Sequence, residues 1–327
     1  MQSLGFELQQ EALLETLTLD VLKSTEIENE WLSAEQVRSS LARRLGMDIG
    51  GLMPSDRNVD GIVEMMLDAT QHSQEPLHQE RLFGWHSALF PTGRSGMYKI
   101  ETGTWRTGEM QVVSGAMGRE NVHFEAPVAN RLPQEMDLFI AWFNANQSLD
   151  SVLKAAIAHL WFVTIHPFSD GNGRIARAIA DMQLSRADGS NQRFFSMSAQ
   201  IRKQRKMYYE ILEKTQKNDV DITEWLQWFL DCLLAALLDA ETVLQKVLLK
   251  AKFWKNHQQT LLNERQRLML NKLLDGFEGK LTSSKWAKIT KCSSDTALRD
   301  LQDLLQKDIL KKENAGGRST NYELLEA

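Results

Sequence analysis

A proline, two glycines and two arginines fall within twelve consecutive residues, His166-Pro167-Phe168-Ser169-Asp170-Gly171-Asn172-Gly173-Arg174-Ile175-Ala176-Arg177, and they dictate a helix, a break and a second helix. The run before this stretch, roughly Leu149 to Ile165, is apolar at helical spacing. It must stop at Pro167, because proline restricts the residue before it and cannot extend the hydrogen-bond ladder. A second helix restarts near Gly173. Between the two, Gly171 and Gly173 can take positive φ and turn successive backbone N–H groups toward one point just ahead of a helix N-terminus. Such a point accepts phosphate. With a histidine, a carboxylate and two arginines around it, the stretch reads as a triphosphate site.

The same residues match, at every specified position, the pattern H-P-F-x-D/E-G-N-G-R-x-x-R, and in this the chain resembles the Fic family (filamentation induced by cyclic AMP). The resemblance implies a mainly α fold, a helical core with a β-hairpin flap, and transfer of AMP from ATP to a hydroxyl on a target protein with release of pyrophosphate. The chemistry can be read from the residues as well. A hydroxyl attacking an α-phosphate needs a proton acceptor with a pKa near neutrality, and His166 is the only histidine of the motif. The leaving pyrophosphate gathers charge, so a divalent cation and fixed positive groups are needed. Asp170 is the expected ligand of Mg2+, which takes one or two carboxylates plus phosphate oxygens. The resemblance puts the Asn172 side chain on the α-phosphate, and Arg174 and Arg177, which share a helix face at a spacing of three, on the β- and γ-phosphates. Phe168 reads as a core residue anchoring the loop.

Upstream, Leu8 to Lys23 carries Leu13, Leu17, Val21 and Leu22 at helical spacing and reads as an amphipathic helix. It ends at Ser24-Thr25-Glu26-Ile27-Glu28-Asn29, which fits the inhibitory pattern S/T-x-x-x-E-G/N of many Fic proteins. By that resemblance Ser24 and Glu28 are the inhibitory residues, and the Glu28 carboxylate pairs with Arg177, forcing ATP into an unproductive pose. Asn29 stands where relatives often carry glycine, and either residue can take the left-handed conformation that ends a helix. Relatives often have a further helical segment ahead of this one, so the expectation is that Met1 marks an internal start or a shortened chain.

Residues 98–127 are the most strand-like of the chain. Met110-Gln111-Val112-Val113 and Asn121-Val122-His123-Phe124 flank a glycine-containing turn at Ser114 to Gly118 and predict a hairpin. It resembles the Fic flap, whose Val112, Val113, Val122, His123 and Phe124 positions would hold a target segment by strand addition. Helices are expected at Ile201 to Lys217 and Ile222 to Leu237. Tyr208 and Tyr209 fall where family members build the adenine pocket, beside the simpler reading of half-buried packing.

The C-terminal part has a separate logic. Glu264 to Leu274, Ser283 to Ile289 and Ser294 to Leu305 are three short helical patterns, followed by Ile309-Leu310-Lys311-Lys312, a Gly316-Gly317 turn and Asn321 to Leu325, which together predict a winged helix. From Lys246 onward the chain is net basic, and the remainder is acidic. Ser293, Ser294, Thr296 and Arg299 on the third helix, with Lys311, Lys312 and Arg318 on the wing, would face DNA; Asp295 and Asp300 oppose that. Protein contact or dimerisation is the other reading of this module. The expected division is an N-terminal helical region with the inhibitory helix (1–75), a catalytic core (76–240), and a linker helix with the winged helix (241–327).

With 327 residues, of which 25% are charged and 43% hydrophobic, the chain has the composition of a soluble enzyme. Cys232 and Cys292 lack metal or redox spacing and predict free thiols in a cytoplasmic setting. The longest apolar run, Cys232 to Leu238, is too short to span a bilayer. The expected function is thus a protein adenylyltransferase, held inactive by its own Glu28, using ATP and Mg2+ and acting on a protein Ser, Thr or Tyr hydroxyl, with a homodimer left open. Two alternatives stand beside it: removal of AMP from a modified protein, with Glu28 orienting a water, and a DNA-binding regulator whose core senses nucleotide.

Overall fold

The computed structural model describes residues 6–47, 51–114, 121–146, 148–189, 193–217, 220–277, 279–313 and 320–325. The chain divides into two compact units, Gln9–Glu241 and a smaller one built on Thr242–Ala327. In the larger, helices α1 (Phe6–Ile27), α2 (Ala34–Arg44), α3 (Arg57–Gln71) and α4 (Gln79–Leu89) precede two antiparallel hairpins, β1 (Arg94–Ser95) with β2 (Tyr98–Lys99) and β3 (Gln111–Ser114) with β4 (Asn121–Glu125). Helices α5 (Leu132–Asn144), α6 (Ser151–Ile165), α7 (Asn172–Asp188), α8 (Met197–Lys203), α9 (Arg205–Lys217) and α10 (Thr223–Asn256) follow.

Helices α6 and α7 form the centre. Helix α6 opens where the Asp150 carboxylate accepts the backbone N–H groups of Val152 and Leu153 at 2.9 and 3.1 Å, satisfying donors that have no partner within the helix. Ala155, Ala156, Ala158, Phe162, Val163 and Ile165 of α6 are buried, as is nearly all of α7. Residues 1–75, expected as an N-terminal helical region, share a core with the helices that follow. Leu14, Leu17 and Val21 of α1 and Ile62, Val63 and Met66 of α3 belong to the same core as α6 and α7. The crossing of α3 over α4 depends on Gly61, where a Cβ would stand 1.7 Å from the Ala88 carbonyl oxygen.

Helix α1 runs past Lys23 to Ile27, with the Thr25 hydroxyl donating back to the Val21 carbonyl at 2.8 Å. Asn29 then takes φ 61, the left-handed conformation expected there. The single helix expected over 201–217 is two, interrupted at Gln204, whose side-chain oxygen accepts the Trp228 indole N–H at 3.2 Å. Helix α10 extends well beyond Leu237. Among the described residues, no helix is long and apolar enough to cross a membrane.

The smaller unit has its own core, centred on Phe253, Met269, Leu270, Trp286, Leu301 and Leu304. Helices α11 (Glu264–Leu274), α12 (Ser283–Thr290) and α13 (Ser294–Gln306) are followed by the antiparallel pair β5 (Leu310–Lys312) and β6 (Tyr322–Leu324), with Leu281 bridging to Tyr322. Each helix has a side-chain cap, Asn263, Thr282 and Ser293. Two residues expected on a reading face have other partners. The Ser293 hydroxyl caps α13 through the Thr296 backbone N–H at 3.2 Å. Asp300 is buried and accepts from Arg265 at 2.7 Å and Asn263 at 2.8 Å, so its charge is neutralised inside the unit. Gly316, Gly317 and Arg318 lie outside the described residues.

Candidate active site

The break between α6 and α7 holds the motif residues from His166 onward. His166 terminates α6 in the left-handed region, φ 50, and its backbone N–H still donates to the Phe162 carbonyl at 3.0 Å. A non-glycine residue held there signals a position fixed by its surroundings. Arg106 supplies the restraint. Its backbone N–H donates to the Pro167 carbonyl at 2.9 Å. Its guanidinium donates to the carbonyls of His166 at 2.8 Å, Gly108 at 2.7 Å and Pro127 at 2.5 Å, tying the motif loop to both ends of the β3–β4 segment. An isolated arginine in sequence gives no sign of this. Arg106→Met should therefore strand three carbonyls, at a cost of about 3 kcal/mol. The shift of the urea-unfolding midpoint measures it, and a loss under about 1 kcal/mol would show that the loop does not depend on this hub.

The His166 Nδ1 lies 3.1 Å from the Val163 carbonyl oxygen. In the neutral ring this nitrogen carries the proton, leaving Nε2 as an acceptor. Burial, reinforced by the Arg106 guanidinium, holds the imidazole below its ordinary pKa, against the Val163 carbonyl. His166 is thus a neutral base at pH 7.

Asp170 and Gly171 form the turn. Gly171 has φ 77, and a Cβ there would meet the Phe90 ring at 2.9 Å, so both conformation and space require glycine. The Asp170 carboxylate accepts the Gly171 N–H at 2.5 Å and the hydroxyl of Ser95 on the β1–β2 hairpin, an element with no clear signal in the sequence. Beneath the loop, Phe168 is fully buried and stacks on His86 at 4.2 Å. Burial pushes the His86 imidazole down to about 4, and its Nδ1 accepts the Gly103 N–H at 3.1 Å. Asn172 bridges both backbone groups of Phe168. Its amide nitrogen donates to the Phe168 carbonyl at 2.8 Å and its oxygen accepts the Phe168 N–H at 2.9 Å, so the side chain staples the loop, and the second amide hydrogen is left for another acceptor.

Gly173 has a different role from the one its neighbours suggest. It is not among the glycines with positive φ; it sits in the first turn of α7, and a Cβ there would stand 2.4 Å from Glu28 Oε1. The missing side chain is the space the Glu28 carboxylate occupies. Arg177 donates from Nη2 to Glu28 Oε1 at 2.7 Å and to the Ser24 carbonyl at 2.9 Å, and from Nε to the Ser24 hydroxyl at 3.0 Å. Ser24, Glu28 and Arg177 thus meet as the motif implied. A second pair accompanies them. Arg174 Nη1 donates to Glu30 Oε2 at 2.7 Å, and its guanidinium lies 5.1 Å from the centre of the Phe90 ring.

The tyrosines divide. Tyr208 is buried and shares a hydrogen bond with His159 at 3.0 Å, amid Trp225 and Trp228, which makes it a packing residue and not an open pocket wall. Tyr209 is partly exposed and donates to Glu28 Oε2 and to the Ile27 carbonyl, both at 3.3 Å; burial and the Glu28 charge push its phenol up to about 12. Arg205 Nε donates to the same Ile27 carbonyl at 2.6 Å.

The hairpin expected as a flap is present. Val112 pairs with Phe124 and Val113 with Val122, with an irregularity between Val112 and Val113, and Ala126 N–H donates to the Met110 carbonyl at 2.9 Å. Val122 is exposed, and His123 Nδ1 lies 2.7 Å from Glu213 on α9. Residues 115–120, which hold most of the expected turn, lie outside the described residues.

Comparison with known proteins converges on the same stretch. The Fic/DOC family model matches residues 76–184, and a model described as a domain of unknown function (DUF4172) matches residues 1–47. The protein adenylyltransferase Fic of Culex quinquefasciatus is 39% identical over 100 residues, 30% of this chain and 18% of that protein. Its counterpart in Drosophila grimshawi is 36% identical over 99 residues, 30% of this chain and 19% of that protein. The matched stretch is therefore less than a fifth of the length of these relatives. Two crystal structures share the fold at 21% identity. A Fic family protein from Desulfovibrio desulfuricans has a TM-score of 0.55, covering 99% of this chain and 89% of its own. A Fic domain containing signaling protein from Bacteroides thetaiotaomicron has a TM-score of 0.56, covering 75% and 92%. With its motif intact and its loop folded between α6 and α7, this chain carries over residues 76–184 a stretch that matches the Fic/DOC family.

Proposed function

We propose that the protein transfers AMP from ATP to a hydroxyl of a protein substrate and that it rests in an inhibited state. The observation that carries this reading is that both motif arginines, buried at the N-terminus of α7, hold carboxylates, one of which, Glu28, acts on a neutral His166. A helix N-terminus with two buried guanidinium groups is an anion site, and Glu28 and Glu30 stand in it as internal anions. Replaced by the β- and γ-phosphates, they would leave the α-phosphate beside His166. The target hydroxyl oxygen then attacks the α-phosphorus as the bond to the bridging oxygen breaks. Its proton passes to His166 Nε2, and pyrophosphate leaves, its charge met by Arg174 and Arg177.

The Asp170 carboxylate and the Ser95 hydroxyl offer hard oxygen donors suited to Mg2+. Among the described residues no group of three or more His, Cys, Asp or Glu gathers to hold a metal alone, so such a cation would share its shell with phosphate oxygens. Bound there, it would neutralise charge on the leaving pyrophosphate. The β3–β4 hairpin, anchored on α9 through His123 and Glu213, is the element to which a target segment would add.

Incubation with Mg2+ and α-labelled ATP tests the reading. Little label is expected on lysate proteins with wild type, and at least about tenfold more with Glu28→Gly, because losing the partly buried partner of the buried Arg177 frees a charge-assisted donor pair worth about 1.5–3 kcal/mol. Equal, negligible labelling by both proteins, each shown to be folded, would reject the proposal. The removal reading is favoured by a specific feature: Glu28 lies close enough to His166 for its charge to act on the ring. Release of free AMP from an AMP-bearing protein by wild type, lost in Glu28→Gly, would select it.

A further inference from the structure

We propose that Glu30 is a nucleotide-selectivity residue that competes with the second phosphate of a nucleotide for Arg174, independently of the Glu28–Arg177 contact. This rests on the reading of the site as a nucleotide site, and extends it to a residue outside the inhibitory pattern.

Three observations carry it. First, Arg174 is only 3% exposed and donates to Glu30 at 2.7 Å, so a buried guanidinium of the motif is neutralised by a side chain from the segment after α1. A buried charge must have a partner, and whatever enters beside Arg174 must displace this one. Second, Arg174 Nε and Arg177 Nη1 are buried without a hydrogen-bond partner among the described residues. One carboxylate on each guanidinium leaves donors unused, which suits these groups to a ligand richer in oxygens than the glutamates that hold them. Third, the two glutamates differ in exposure. The Glu28 side chain is 29% exposed and is held from a second side by Tyr209; Glu30 is 45% exposed, and its carboxylate can swing into water at low cost.

Asn29, in the left-handed conformation, stands between the two glutamates. They reach two arginines that are three apart on α7, so one turn of chain covers both anion subsites. The selectivity follows by counting phosphates. AMP has no group to place on Arg174 or Arg177 and competes with neither glutamate. ADP must displace Glu30, and ATP must displace both to take its productive pose. The resting site therefore discriminates against nucleotides in proportion to their phosphate number, with Glu30 setting the step from one phosphate to two.

Binding of AMP, ADP and the non-transferable α,β-methylene analogue of ATP, each with Mg2+, is to be measured by calorimetry for wild type, Glu30→Gln, Glu28→Gly and the double variant. Glu30→Gln should tighten ADP and the ATP analogue by about fivefold, the value of a half-exposed ion pair to a buried arginine, and leave AMP within about twofold. Glu28→Gly should tighten the ATP analogue and leave ADP unchanged, and the two effects should multiply in the double variant. An ADP affinity unchanged by Glu30→Gln in a protein that binds ADP would overturn the assignment of Glu30 alone, as would an equal shift for AMP. Failure of all four proteins to bind any of the three ligands would overturn the nucleotide reading itself, and Glu30 with it.

Discussion

His166→Ala, made in the Glu28→Gly background, is expected to reduce AMP transfer by about 10²–10⁴-fold, the usual worth of a positioned general base. The argument rests on the ring's attachment. Nδ1 faces the Val163 carbonyl, and the main chain is fixed in a left-handed conformation by Arg106, so Nε2 is presented as an acceptor without reorganisation. Nucleotide affinity should change little, since the phosphates would be held by α7 and its arginines, and the loss should appear in kcat with KM for ATP nearly constant. The pH profile follows from the lowered pKa. Protonation removes the base, so in Glu28→Gly the rate should be flat through pH 7 and fall only as pH drops through a value below the ordinary imidazole range. A residual rate within tenfold of the parent would assign proton removal elsewhere.

How much of this could be read in advance divides by length scale. The helix, break and helix around Pro167, and the convergence of Glu28 on Arg177, were legible because proline, glycine and a short motif act locally and the resemblance supplied the long-range pairing. What escaped depends on tertiary neighbours. Asn172 is a polar residue in a glycine-rich loop, and only the fold shows its side chain bridging both backbone groups of Phe168. Gly173 looks like a turn glycine and is a clearance glycine, because the atom it avoids belongs to Glu28, far away in sequence. Tyr208 and Tyr209 are adjacent, yet helix α9 turns one into an aromatic cluster and the other toward Glu28. Asp300, read as an acid facing DNA, is a buried partner of Arg265. In each case identity and spacing are ambiguous, and the side of the helix that meets the core decides.

Behind the Glu28–Arg177 contact lies the second large effect. Arg193 is buried between two carboxylates, donating to Asp181 of α7 and to Asp20 of α1 at 3.1 Å, while Asp20 also accepts from the Ser196 hydroxyl and, at 3.2 Å, from the Ser198 N–H. Helix α1 is thereby fixed against α7 one turn before Ser24, which is what allows Glu28 to reach Arg177. Arg193→Met leaves two buried carboxylates facing each other and should cost about 3–5 kcal/mol, read from the urea midpoint at pH 7. Asp181→Asn should behave oppositely. Burial, with Asp20 adding to it and Arg193 opposing, raises the Asp181 carboxyl to about 7, because one guanidinium neutralises only one of two acids. A pKa above the unfolded value of about 3.9 means that its stabilising contribution is complete below that value and is lost as pH rises through about 7. Wild type should therefore lose stability between about pH 4 and 7 through this group, and Asp181→Asn should flatten that slope while costing little at pH 7. If Asp181→Asn were as damaging as Arg193→Met, both carboxylates would have to be ionised and fully paired in the native core, and the cluster would be a structural triad with no surplus charge to titrate.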